Sequence, residues 1–151
     1  MGRDEEALEH LGRAMKLDTC SARTFNERGN VFLHLDLAKD ARQEIEQGLV
    51  CDPSFAPLYK NLARVDLAQK QNADAIRNLE KSLPLYDPRD ARGRAEAVYW
   101  LAVANSRAGH REAACETLKM LQVQGTVAIL WRYEARGIAQ QEGCEGVFTE
   151  R

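Results

Sequence analysis

The sequence repeats itself at a spacing of 34 residues. An aromatic residue and a small residue four positions later, Phe25 and Gly29, recur 34 positions further on as Tyr59 and Ala63. A period of roughly 20 to 50 residues is typical of repeat architectures, because each unit buries its apolar face against the next unit. This period constrains the fold more than any single motif does.

Two further copies extend the pattern in both directions. Val98 and Ala102 repeat the apolar and small positions, about five residues later than the period requires. We attribute this delay to an insertion near residues 83–90. In the other direction, Ala7 lies 34 residues before Ala41 and continues the pattern of a second helix. The predicted units are a half-repeat at 4–17 and repeats at 22–55, 56–89 and 95–125.

The composition favours helices over strands. Alanine and leucine together number 38, whereas valine, isoleucine and threonine number 17. Alanine and leucine are good helix formers, and β-branched residues prefer strands. Apolar residues also recur at three- and four-residue steps, as at Leu58, Leu62 and Val65. We predict helices at residues 4–17, 22–35, 38–51, 55–69, 72–84, 90–108, 111–123 and 126–141.

The pattern resembles the tetratricopeptide repeat, a 34-residue unit of two helices. The resemblance covers roughly residues 4–125. It implies an all-α fold, in which antiparallel helix pairs stack into a right-handed superhelical solenoid with a C-terminal capping helix at 126–141. We assign residues 1–141 to this repeat domain and expect a mobile tail at 142–151. Asp66 and Asn105 stand where the family usually has an aromatic residue, so we expect looser packing there.

The resemblance also implies a binding surface. In this family the first helices of successive pairs line a concave groove, which binds an extended peptide or a helix of a partner. We therefore expect a protein or peptide partner. The groove residues carried over by position are Arg23, Asn26, Asn30, His34, Lys60, Asn61, Arg64, Leu67, Glu96, Tyr99, Val103 and Arg107.

The expected groove is basic, although the whole chain has a formal net charge of −2. It contains four lysine or arginine residues and one acid, Glu96, so we predict an acidic ligand with at least one apolar anchor. The alternative is that these residues are ordinary solvated helix positions. The carboxylate clamp of chaperone-binding members of the family is not matched, because Asn26, Glu96 and Trp100 replace its basic residues.

The sequence contains no recognisable catalytic or metal-binding motif. We therefore expect a noncatalytic interaction module with no cofactor and no metal. The alternative is a regulatory or substrate-recognition segment of a larger enzyme. No CxxC pair is present, so we expect free thiols in a reducing compartment. The cysteines are Cys20, Cys51, Cys115 and Cys144.

The remaining expectations concern location and assembly. The charged start of the chain, residues 1–6, does not fit a secretory signal, so we predict a cytoplasmic protein without membrane insertion. The near balance of charges argues against a nucleic-acid partner. The half-repeat at 4–17 would leave apolar residues such as Leu8 and Leu11 uncovered, so we predict that a homo-oligomer can form there.

Overall fold

The computed structural model of the chain describes residues 2–123 and 131–148. Within these residues the protein forms α-helices, a short 3₁₀ helix at Leu83–Leu85 and no strand. None of the described helices is long and apolar enough to span a bilayer. The helices are α1 (Gly2–Leu17), α2 (Ala22–His34), α3 (Ala38–Cys51), α4 (Ala56–Ala68), α5 (Asn72–Ser82), α6 (Ala91–Arg107), α7 (Arg111–Val123) and α8 (Arg132–Glu142).

The predicted helices agree with these bounds to within two residues for most ends. The exception is the capping helix, predicted at 126–141, because residues 124–130 lie outside the described residues and α8 begins at Arg132. The predicted end of α5 is also different, since Leu83–Leu85 tightens into the 3₁₀ helix around Pro84. The helix periodicity of the sequence therefore located the elements correctly.

The repeat is visible in the backbone of the turns between paired helices. Asp36, Lys70 and Gly109 each have a positive φ, of 58°, 61° and 76°, after α2, α4 and α6. In the first turn, the N–H of the following residue, Leu37, donates to the carbonyl of Phe32 at 2.9 Å. The second and third turns repeat this bond at 2.8 and 2.9 Å. This is the Schellman arrangement, which satisfies carbonyls that a helix end leaves unpaired.

The helices stack in pairs. α2 packs against α3, α4 against α5 and α6 against α7, and each second helix also contacts the first helix of the next pair. The first helices form a row of their own, because α2 contacts α4, α4 contacts α6 and α6 contacts α8. We call α2, α4, α6 and α8 the first-helix row. This arrangement confirms the predicted all-α solenoid of antiparallel helix pairs.

Small residues allow the paired helices to approach closely. A Cβ atom placed on Gly29 would lie only 2.8 Å from Cγ1 of Ile45 on the facing helix. A Cβ atom on Gly48 would lie 2.9 Å from both methyl groups of Leu58 and from Cβ of Phe25. The large side chains occupy the space that the glycines leave, at the close-packed density of protein interiors.

The expectation of looser packing at Asp66 is wrong. Its side chain is 2% exposed and accepts hydrogen bonds from Arg42 Nη2 at 2.6 Å and from Asn78 Nδ2 at 2.8 Å. These bonds join α3, α4 and α5 at one point. A buried carboxylate is tolerated because a charged partner and a further donor replace its water. Asn105, at the equivalent position of the next pair, is buried as well.

The cysteines are not free thiols. Disulfides join Cys20 to Cys51 and Cys115 to Cys144, with 5.3 Å between the Cα atoms of each pair. The partners are 31 and 29 residues apart in sequence. They meet only because neighbouring elements fold back on each other, which the sequence spacing alone did not reveal. The expected free thiols are therefore a wrong prediction.

The expected mobile tail is packed over its described part. Cys144, Val147 and Phe148 are buried in a cluster with Leu118 of α7 and Ala139 of α8. Gly143 has a φ of 65° and ends α8, which turns the chain back towards α7. Apolar burial and the disulfide hold this segment against α7 and α8 as far as residue 148. Residues 149–151 lie outside the described part.

At the other end, α1 packs on α2. Met15 Sδ accepts a hydrogen bond from Arg28 Nη1 at 2.5 Å, and Leu8 and Leu11 are half-buried. Self-association through this helix stays a prediction.

Candidate functional site

A network of amide side chains connects the first two helices of the first-helix row. Asn61 Nδ2 on α4 donates to Asn26 Oδ1 on α2 at 2.9 Å, and both residues are buried. Arg64 Nη1 donates to Asn30 Oδ1 at 2.7 Å and to Asn61 Oδ1 at 3.1 Å. We call these four residues the asparagine ladder. The ladder places a fixed guanidinium between two helices.

Arg64 also contacts the third helix of the row. Its guanidinium carbon lies 5.3 Å from the ring centroid of Trp100, a favourable cation–π distance. Burial lowers the pKa of Arg64 below its ordinary value, and the carboxylate of Glu96 opposes that shift. An arginine remains protonated in proteins despite such shifts, so the ladder carries a fixed positive charge.

An aromatic cluster continues the surface beyond Arg64. Tyr99 meets Trp100 edge-on at 5.3 Å between ring centroids, and it stacks on Trp131 at 6.4 Å with 22° between the ring planes. All three side chains are half-buried. Burial raises the pKa of Tyr99, and the charge of Glu134 adds to the shift. The cluster thus offers rigid apolar surface next to a cation.

Lys60 is not an independent positive charge. Its Nζ lies 2.8 Å from Glu96 Oε2, and the two side chains are 12% and 27% exposed. The pair connects α4 to α6 one turn before Arg64 and Trp100. The face is therefore less basic than the sequence suggested, because the acid counted in the groove neutralises one of its cations.

The structure brings together seven of the predicted groove residues in this region. These are Asn26, Asn30, Lys60, Asn61, Arg64, Glu96 and Tyr99.

The other predicted residues lie elsewhere. Leu67 and Val103 are 4% and 8% exposed and belong to the core between helix pairs, so they offer no apolar surface to a ligand. His34 and Arg107 are exposed in the last turns of α2 and α6. Arg23 is exposed in the first turn of α2, next to a cavity.

That cavity has a volume of about 420 Å³ and lies where α2 and α4 begin. Arg23 and Asn26 line it, together with acidic residues from three segments that were not among the predicted groove residues. Trp100 and Trp131 were likewise not assigned to the groove. The signal for Trp100 was present, since it lies four residues after Glu96 on the same helix and therefore shares its face. The acidic residues of the cavity are Glu27, Asp52, Asp87 and Asp90.

Among the described residues, no group of three or more histidine, cysteine, aspartate or glutamate side chains could hold a metal ion.

Comparison with known proteins identifies the architecture through structure rather than through a family profile. No protein-family model matches the chain. A segment of 80 residues, 53% of this chain, is 28% identical to the DnaJ homolog subfamily C member 7 homolog of Dictyostelium discoideum. The match covers 15% of that protein.

Solved structures match over nearly the whole chain. The crystal structure of MamA superposes with a TM-score of 0.73 at 18% identity, covering 97% of this chain and 83% of MamA. PilF of Pseudomonas aeruginosa gives 0.74 at 19% identity, covering 99% and 71%. YrrB, described as a TPR protein with an unusual peptide-binding site, gives 0.66 at 20% identity, covering 97% and 73%.

The chain has the tetratricopeptide-repeat (TPR) fold. At these identities the likeness shows the fold alone, and it confirms the predicted helix-pair superhelix. In the TPR fold of this chain, the first-helix row carries the asparagine ladder and the aromatic cluster on neighbouring helices.

Proposed function

We propose that this TPR-fold chain is a noncatalytic module that binds a segment of a protein partner along the first-helix row. The contact would centre on the asparagine ladder and the aromatic cluster. The proposal rests on the hydrogen-bond donors that Arg64 can still offer. Among the described residues, its hydrogen bonds to Asn30 and Asn61 both use Nη1, which leaves Nε and Nη2 as donors for a ligand.

This arrangement is organised before any ligand arrives. The guanidinium is held by two amide oxygens and a tryptophan ring, so binding would lose little side-chain entropy at Arg64. A carboxylate can accept two parallel hydrogen bonds from one guanidinium. An acidic residue of the partner would therefore bind at Arg64.

The aromatic cluster supplies the apolar half of the site. Tyr99 and Trp131 are half-buried, so part of each ring remains open to a partner side chain. Tyrosine, tryptophan and arginine are the residues that most often dominate binding energy at interfaces. Of the three apolar residues in the predicted groove, Leu67 and Val103 are buried in the core, so Tyr99 and Trp131 would provide the apolar contact. The similar structure of YrrB, a TPR protein with an unusual peptide-binding site, supports peptide binding by a fold of this kind.

The disulfides change the compartment that we propose. Disulfides persist in oxidising compartments and are rare in the cytosol, where thiols are kept reduced. All four cysteines of the chain are paired. We therefore place the protein in an oxidising compartment rather than in the cytoplasm.

Selection from a random peptide library, followed by titration, tests the proposal. We expect enriched peptides to share an acidic residue and an aromatic or aliphatic residue. Their binding should change the tryptophan fluorescence, because Trp100 and Trp131 lie beside the contact. The Arg64→Met variant, which keeps most of the stem but removes the charge, should bind them more weakly. Unchanged affinity in this variant would place the binding surface elsewhere on the molecule.

A further inference from the structure

The cavity beside Arg23 is formed by segments that are distant in sequence. Glu27 comes from α2, Asp52 from the end of α3, and Asp87 and Asp90 from the connection between α5 and α6. Four carboxylates therefore surround one space with a single basic side chain, Arg23, in its lining. The cavity thus has the opposite charge to the neighbouring ladder.

Two of its carboxylates are held in the ionised form by hydrogen bonds. Hydrogen bonds from the Ser54 hydroxyl and N–H lower the pKa of Asp52. The Arg89 side chain and N–H lower the pKa of Asp87 in the same way. Each bonded carboxylate still has further lone pairs to offer, because two oxygens can accept about four hydrogen bonds. Glu27 is the least committed of the four, since its described hydrogen bond to Asn26 is 3.4 Å long.

A second, independent feature points to a ligand. Tyr86 lines the cavity and is only 6% exposed, and its hydroxyl group has no hydrogen-bond partner among the described residues. Burying a hydroxyl group without a partner costs free energy, which an N–H donor that reaches this group would recover. Burial raises the pKa of Tyr86, and Glu96 and Asp90 add to the shift, so the phenol is neutral.

The position of this tyrosine is fixed by the sequence around it. A Cβ atom on Gly93 would lie 2.6 Å from Cε1 of Tyr86, so the ring packs directly over the first turn of α6. Asp90 caps the same helix by accepting from the Gly93 N–H at 2.8 Å. The tyrosine ring and the Asp90 carboxylate are thus both held against the first turn of α6.

The walls of the cavity are apolar as well as acidic. Phe55 and Pro57 come from the start of α4, and Leu85, with 37% of its surface exposed, comes from the 3₁₀ helix. A long aliphatic stem with a positive head fits such a site, because the stem packs on apolar surface while the head stays among charges. Lysine and arginine are the residues whose aliphatic side chains end in a positively charged group.

We infer that this cavity binds the side chain of a lysine or arginine in the same partner segment that contacts Arg64. The inference rests on the proposed function, since it assigns the charge of one further residue of the bound segment. Asn26 links the two places, because it lines the cavity and also accepts the hydrogen bond of Asn61 in the ladder. The partner segment therefore carries two residues of opposite charge. Its basic residue lies in the cavity, towards Leu85, and its acidic residue binds Arg64.

A titration with blocked amino acids, followed by amide chemical shifts, tests the cavity without knowledge of the partner. The probes are N-acetyl-lysine methylamide, its uncharged analogue N-acetyl-norleucine methylamide, and N-acetyl-glutamate methylamide. We expect the lysine probe to shift the amides of Glu27, Ser54 and Leu85, and the other two probes to leave them unshifted. Equal shifts with the lysine and norleucine probes would overturn the inference.

Variants show whether probe binding depends on the charges of the cavity rather than on the stability of the fold. Glu27→Gln with Asp90→Asn removes two charges but keeps the shape of each side chain, and asparagine caps helices as well as aspartate does. This double variant should weaken lysine-probe binding by about fivefold or more. Tyr86→Phe should weaken it also, while Glu80→Gln, an exposed acid on α5, should not change it. Unchanged binding in the double variant, with melting unchanged, would refute the inference.

The same variants distinguish the two proposals. If selected peptides need Arg64 but bind the Glu27→Gln, Asp90→Asn variant unchanged, the cavity inference fails and the proposed function stands. If the lysine probe binds in the cavity but no peptide depends on Arg64, the proposed function fails instead.

Discussion

Asn61 donates its side-chain amide hydrogen to Asn26 at 2.9 Å, across two helices and 35 residues of sequence. Both side chains are buried, so the bond replaces water contacts that neither residue can make in the folded protein. It ties two consecutive repeats together beside Arg64. The proposed binding surface and the stability of the array therefore share these residues.

This bond predicts a non-additive effect of mutations. Asn61→Leu should lower the free energy of unfolding by about 1–3 kcal/mol, because it leaves the Asn26 oxygen buried without its partner. Asn26→Leu combined with Asn61→Leu should cost less than the sum of the single changes, since no orphaned partner remains between them. Urea unfolding of the four proteins measures this coupling. Additive costs would show that the bond is not formed.

A second prediction concerns the close contact at Gly29. Gly29→Leu should lower the free energy of unfolding by about 1–3 kcal/mol. A Cβ atom at position 29 would already lie 2.8 Å from Cγ1 of Ile45, so a leucine side chain would overlap it. Gly12→Leu is the matched control, since no atom lies within 4 Å of a Cβ atom there. Thermal unfolding should show a lower midpoint for the first variant only. Equal midpoints would mean that the two helices do not meet at Gly29.

The sequence predicted the repeats well because a 34-residue period records packing that every unit shares. The turns at Asp36 and Lys70 and the small residues at Gly29 and Ala63 follow that period, so they could be placed from it. The period carries no information about contacts that only one repeat makes.

The candidate site was predicted less completely for that reason. Position in the repeat selected Arg64 and Asn61, which the structure joins to the preceding repeat, but it also selected Leu67, which is buried in the core. It could not pair Lys60 with Glu96, because that contact depends on how two neighbouring repeats are stacked. The disulfides and the acidic cavity are formed by segments of different repeats. They were not predicted, because contacts between particular repeats leave no trace in the period.

The disulfides predict a response to reductant. Each should contribute about 2–4 kcal/mol to the free energy of unfolding, because it closes a loop of about 30 residues in the unfolded chain. Urea unfolding with and without a thiol reductant measures the loss, and thiol titration of the unreduced, denatured protein should find no free cysteine. A variant with all four cysteines changed to serine is the control, since reductant should not affect it. Four titratable thiols, or identical curves, would contradict the pairing.

Glu44 predicts a dependence of stability on pH. Burial raises the pKa of Glu44 above its ordinary value, and the charge of Asp40 adds to the shift. Arg28 opposes it, since its Nη2 lies 3.1 Å from Glu44 Oε1. A raised carboxyl pKa contributes stability that is present below the unfolded pKa and is lost as the pH rises through the folded pKa. The wild-type protein should therefore lose stability relative to Glu44→Gln as the pH rises from about 4 to 7. Urea unfolding across this range measures the difference, and a constant or opposite difference would contradict it.

The binding surface itself is tested by removing charge from the first-helix row. Reversing the charges of Lys60 and Arg64 is not suitable for this test. The contacts of Lys60 with Glu96 and of Arg64 with Asn30 predict that reversal destabilises the fold. Lys60→Met with Arg64→Met is the better variant, because it keeps most of each stem. Arg77→Met with Lys119→Met, on the second helices α5 and α7, is the matched control.

The most direct measurement is the dissociation constant of a library-selected peptide for the wild-type protein and these two double variants, by fluorescence polarisation. We expect about tenfold weaker binding to Lys60→Met, Arg64→Met, equivalent to about 1.4 kcal/mol. We expect wild-type affinity for Arg77→Met, Lys119→Met. Equal affinity for both double variants, each confirmed as folded by circular dichroism, would contradict the claim that the first-helix row binds the partner.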